Sequence, residues 1–141
     1  HTKYKLSVMS TKKNYKQIIV TEISDNICIF HIAESKFKEE ELYIMGMAQF
    51  VEYAEYSRPR FVIIDKIKHP IKITNAITAY IRKYGIENLY RIGVKRVFKI
   101  MDEESIDKNK TDMLSEVQTF KSIDDCLKTI GEKYSHGKAI L

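Results

Sequence analysis

Phe61-Val62-Ile63-Ile64-Asp65 is an unbroken apolar run that closes on a carboxylate and leads through Pro70 toward a helix opening near Thr74. Apolar residues without alternation suit a strand covered on both faces, which places this run in the centre of a sheet. The junction that follows, from strand through loop to helix, is where α/β domains place their working residues. There the carboxyl ends of parallel strands meet the first turns of the helices that follow them.

On the amino-terminal side, residues 15–23 alternate loosely and are rich in β-branched side chains. Ile27-Cys28-Ile29-Phe30-His31-Ile32 repeats that character after the turn-like Ser24-Asp25-Asn26, so an antiparallel hairpin is expected. From Lys38 the period lengthens. Tyr43, Met47, Phe50, Val51 and Ala54 make one stripe of an amphipathic helix, with Glu39, Glu40 and Glu41 at the positive end of its dipole. Arg58-Pro59 ends it, because proline disfavours helical geometry in the residue before it.

On the carboxyl-terminal side a second helix is predicted over 73–92, with Ile73, Ile77, Tyr80, Ile81 and Tyr84 on one stripe, a break at Gly85 and Gly93 as its C-cap. Residues 94–101 return to strand character. Residues 102–112 are a polar connection long enough for a short helix, and 116–120 form a last strand. Ser122 then opens a final helix whose buried stripe is Ile123, Cys126, Leu127 and Ile130. Alternation after the hairpin implies parallel central strands.

At 141 residues the chain fits one domain, since single cores commonly occupy roughly 100 to 200 residues. The division expected is a flexible basic arm or non-native remainder over 1–14, one domain over 15–133 and a loose tail over 134–141. Met9 is a plausible native start, which would make the first eight residues a remainder or a processed leader. The excess of 24 basic over 19 acidic residues, a net +5, favours anionic partners only weakly, and nucleic acid is not expected as a partner of the chain, by its basic arm or otherwise. No apolar run approaches the ~20 residues that cross a bilayer. The two cysteines, Cys28 and Cys126, have neither metal-ligand spacing nor a disulfide framework. They read as reduced thiols of a cytoplasmic protein.

The Phe61 to Asp65 strand, the segment running from Ala79-Tyr80-Ile81-Arg82 to Gly93-Val94-Lys95-Arg96-Val97-Phe98, and the closing Phe120-Lys121-Ser122-Ile123-Asp124-Asp125-Cys126-Leu127 together resemble the SpoIIAA-like branch of the STAS superfamily over residues 15–133. The resemblance implies an α/β domain with a mixed four- or five-stranded sheet: an opening antiparallel hairpin, parallel central strands, and helices backing them. It also implies a non-catalytic bacterial regulatory protein that acts by docking a protein partner. In anti-anti-sigma members a serine at the start of the helix after the central strand is phosphorylated, and the position matching it here is Thr74. Those members read Asp-Ser-Ser-Gly or Asp-Thr-Ser-Gly, whereas this chain reads Lys72-Ile73-Thr74-Asn75. Thr74 is therefore a candidate phospho-acceptor or a helix cap. Lys66, Lys68, His69, Lys72 and Asn75 are the candidate docking residues. Other branches of the wider group resemble Sec14-type carriers, so an apolar-ligand cleft lined by Met47, Phe50, Tyr80 and Tyr84 is the alternative, although stripes of this kind usually pack a core.

Enzymatic signatures are weak. Asp65 and Pro70 invite comparison with response-regulator receivers, but His31-Ile32-Ala33-Glu34 supplies at most one of the two acids that hold magnesium there. Asp65 is expected to bond a neighbouring loop or cap a turn. His31, His69 and His136 are too scattered for a metal site, and five glycines with no Walker sequence leave little material for a phosphate loop. No metal and no cofactor are expected, and an enzyme using Asp65 or His69 is the minor reading. Lys66, Lys68, Lys72, Lys95, Arg96 and Lys99 are expected to gather as a basic face at one end of the sheet. A homodimer through the opening hairpin edge is open.

Overall fold

The computed structural model describes residues 11–14, 19–31, 40–65, 75–101 and 117–134. Six strands form one sheet in chain order: β1 (Thr11–Asn14), β2 (Ile19–Glu22), β3 (Ile27–His31), β4 (Phe61–Asp65), β5 (Arg96–Ile100) and β6 (Gln118–Phe120). β1 with β2 and β2 with β3 are antiparallel, and the pairs from β3 to β6 are parallel. The sheet is thus mixed, as expected, but has six strands rather than four or five. The added strand is β1: Thr11–Asn14 pairs with Glu22 through Ile19, so this part of the expected flexible arm is instead an edge strand. The hairpin extends into a meander because the backbone of β2 offers a second row of hydrogen-bonding groups on its far side.

The helices are α1 (Glu40–Ser57), α2 (Asn75–Ile81), α3 (Glu87–Arg91) and α4 (Ile123–Tyr134), with one π-helical segment, Arg82–Ile86, joining α2 to α3. The short helix expected over 102–112 lies outside the described residues, as do residues 135–141 of the tail expected over 134–141; Tyr134, its first residue, instead closes α4. β3 and β4 are buried on both faces, which is why neither sequence alternates. Cys28, Phe30, Val62 and Ile64 join Val20 and Val97 under α1 and the α2–α3 segment. Ile27, Ile29, Phe61 and Ile63 join Ile23, Phe98 and Ile100 under Cys126, Leu127 and Ile130 of α4. Helix, sheet and helix make three layers.

In α1 the predicted stripe is observed at Met47, Phe50 and Ala54, all buried. Phe50 stacks on Phe30 with ring centroids 4.3 Å apart. The second helix departs from its predicted stripe. Ile81, Gly85, Ile86 and Leu89 face the core, while Tyr80 and Tyr84 are exposed and lie against each other as a tilted pair with ring centroids 4.7 Å apart. The π segment, whose wider turn is closed by the Glu87 N–H on the Arg82 carbonyl, steps the buried line from Ile81 to Ile86 and leaves Tyr84 outward, on the same side as Tyr80, which precedes the segment in α2. Gly85 sits where the break was expected. A Cβ there would come within 2.9 Å of the Met47 methyl, so glycine admits α1 against this turn.

The ends of the elements follow local chemistry. Gly93, at φ +110°, donates to the Tyr90 carbonyl while Val94 donates to Leu89. This is a Schellman closure, with Val94 and Leu89 both in the core. Ser122 caps α4 by accepting from the Asp125 N–H at 3.1 Å. Arg58, which follows α1, has φ +53° and donates its backbone N–H to the Ala54 carbonyl at 2.7 Å.

Candidate functional site

β3 and β4 each read as four buried residues followed by a partly exposed polar one. Parallel register sets those last residues side by side, His31 opposite Asp65, at the carboxyl end of the sheet. His31 Nδ1 lies 3.3 Å from Asp65 Oδ2, long for an N–H···O bond but within its range when aligned. His31 Nε2 lies 2.8 Å from Thr21 Oγ1. With Nδ1–H directed at the carboxylate, Nε2 accepts from the Thr21 hydroxyl. Thr21 reaches the ring because it pairs with Ile29 on the neighbouring strand, two residues before His31, and so shares its side of the sheet. Asp65, expected to serve a loop or turn, thus meets a histidine of the adjacent strand.

A hydroxyl, an imidazole and a carboxylate in this order follow the logic of an activated nucleophile. Two features restrain that chemistry. Thr21 is only 9% exposed, and it lies within β2 between β1 and β3, so the neighbouring backbone N–H groups that could stabilise an oxyanion belong to the sheet ladders. Held this way, the three side chains form a polar clasp that fixes the ends of β2, β3 and β4.

Other nucleophiles are withdrawn as well. Both thiols are free and buried. Burial pushes the Cys126 thiol up to about 12. It also raises that of Cys28, with the Glu22 carboxylate adding to the effect. Tyr53 donates to Glu22 Oε2 at 2.5 Å; burial first and this bond second raise the phenol above its ordinary range. Lys99 is 3% exposed, in β5 between Ile64 and Thr119.

Of the candidate docking residues, Asn75 is exposed at the start of α2, whereas Lys66, Lys68, His69, Lys72 and Thr74 lie outside the described residues. The four residues of the expected apolar cleft are not brought together. Met47 and Phe50 are inside the core, and Tyr80 and Tyr84 stand on the outer surface, for the reason of helical phase given above. The expected basic face divides too: Lys95 and Arg96 are exposed at the amino end of β5, whereas Lys99 is buried further along it. Lys66, Lys68 and Lys72 lie outside the described residues.

The clasp itself was missed as a unit. Its signal was the shared form of Ile27-Cys28-Ile29-Phe30-His31 and Phe61-Val62-Ile63-Ile64-Asp65, two equal apolar runs with polar last residues. Among the described residues no three His, Cys, Asp or Glu gather as a metal site, and no helix is long and apolar enough to cross a membrane. Comparison with protein-family models, curated proteins and solved structures finds no match for this chain.

Proposed function

We propose that this chain is a non-catalytic docking and regulatory domain of the STAS kind, engaging a protein partner through residues 66–75 and the helix that follows. The observation that carries this reading is the covering, among the described residues, of the side chains nearest a reactive constellation: Thr21 held by His31, both cysteines and Lys99 buried. The clasp steadies Asp65, from which the docking segment departs, and Asn75, where it ends, is open to a partner. Thr74, next in the chain to that exposed helix start, is the regulatory position, because a phosphate there adds charge where a partner sits. Two free thiols suit a reducing cytoplasm. The carrier reading loses its support with the dispersal of Met47, Phe50, Tyr80 and Tyr84.

The test is site-specific photo-crosslinking in cells. A crosslinker at Asn75 is expected to capture a discrete protein adduct, one at Glu132 on α4 none, and Thr74→Glu to reduce the Asn75 adduct about tenfold. Equal capture at both positions, or capture at neither, overturns the docking surface. An undiminished adduct with Thr74→Glu overturns the switch.

A further inference from the structure

The amino end of the parallel strands carries a second surface, about 13 to 17 Å from the clasp along a five-residue strand. Arg58 and Arg60 precede β4, Lys95 and Arg96 open β5, and Arg91 closes α3; all five are exposed. The backbone holds them together. The Lys95 and Arg96 N–H groups donate to the Arg60 carbonyl at 2.7 and 3.4 Å, and Arg58 reaches the Ile92 carbonyl at 3.0 Å.

None of these cations forms an ion pair among the described residues. Arg58 is bonded to that carbonyl, Arg60 lies over the Phe61 ring and Arg91 bonds Asn88. Asp25, in the adjoining β2–β3 turn, is exposed and pairs with none of them. Arg58 also holds a left-handed backbone, φ +53°, that glycine or asparagine adopts more readily. Two exposed rings adjoin these cations in the chain: Tyr56, 89% exposed, two residues before Arg58, and Tyr90, 42% exposed, immediately before Arg91.

We propose that this rim binds single-stranded nucleic acid, with Arg58, Arg60, Arg91, Lys95 and Arg96 on the phosphate backbone and Tyr56 and Tyr90 offering faces for base stacking. Arginine forks match phosphate oxygens in pairs, and aromatic faces interleaved with cations accept bases of any sequence. An acidic polypeptide would use the cations but leave the rings without stacking partners, which favours the nucleic acid.

Fluorescence anisotropy of the full chain with a labelled mixed-sequence RNA oligonucleotide tests the proposal. If about four phosphates are contacted, affinity falls roughly 50-fold between about 50 and 200 mM salt. Combined Arg60→Gln, Lys95→Gln and Arg96→Gln is expected to weaken binding at least tenfold at low salt and to flatten the salt slope by about two. Tyr56→Ala is expected to weaken it severalfold, while Lys128→Gln with Lys133→Gln, on exposed positions of α4, leaves it unchanged. Circular dichroism melting confirms that the variants fold. Binding that ignores the triple substitution, falls equally with the α4 pair, or is matched by polyglutamate in place of RNA overturns the assignment. Because the rim uses none of residues 66–75, failure of one leaves the other intact.

Discussion

Single residues here show how an environment decides chemistry. Cys126 lies under the sheet on α4 with no exposed surface, so the thiolate is disfavoured and its thiol is pushed up to about 12 from an ordinary value of 9.0. The folded state therefore holds this proton more tightly than the unfolded chain does. Its contribution to stability is intact below pH 9.0 and is lost as pH rises toward about 12. Cys28, whose shift has the same sign, adds to the loss. Denaturant midpoints are accordingly expected to fall steadily above pH 9, less steeply in Cys126→Ala, although that variant starts about 1 to 2 kcal/mol lower from its cavity. A flat alkaline profile, or native thiols that react with a thiol reagent as fast as unfolded ones, would contradict this burial. His31 and Asp65 show the limit of residue-level reading. Each is an ordinary polar strand end, and they are 34 positions apart in the chain; the register of two strands joins them.

At the scale of elements, ends were more legible than faces. Ser122 and Gly93 act through neighbours within five residues, so the chain itself contains both partners of each cap. Gly93 has nothing within 4 Å of an added Cβ, which leaves the backbone at φ +110° as the only obstacle to a side chain. Gly93→Ala is expected to destabilise by about 1 to 2 kcal/mol, read as a lower melting temperature without change in the folded spectrum. An unchanged melting temperature would show that the Schellman closure tolerates a side chain. The face of the second helix was not legible in this way, since Tyr80 and Tyr84 suit a buried stripe as well as Ile86 and Leu89 do. The π segment at Arg82–Ile86 and the close approach of Met47 to Gly85 settle it.

Across the whole molecule, the sheet grades from a doubly covered centre to thin edges. β3, β4 and the core of β5 are buried on both faces, while among the described residues β1 and β6 pair on one side only. Amide hydrogen exchange is expected to be slowest in β3, β4 and β5 and fastest in β1; protection of β1 equal to that of β4 would mean that a further element covers this edge. The sequence alone determined the class of fold. Its apolar runs without alternation require strands covered twice, its helical stripes supply the covers, and both signals act within a few neighbouring positions. The hairpin, the parallel centre and the stops at Arg58-Pro59, Gly93 and Ser122 follow from such local terms. Only the tertiary structure decided what meets what: β1 on the edge of β2, Thr21 and Asp65 on His31, Lys99 inside, and five cations gathered around the start of β4 and β5. Those outcomes depend on register, strand direction and helical phase, which arise when distant segments pack and which no local pattern carries.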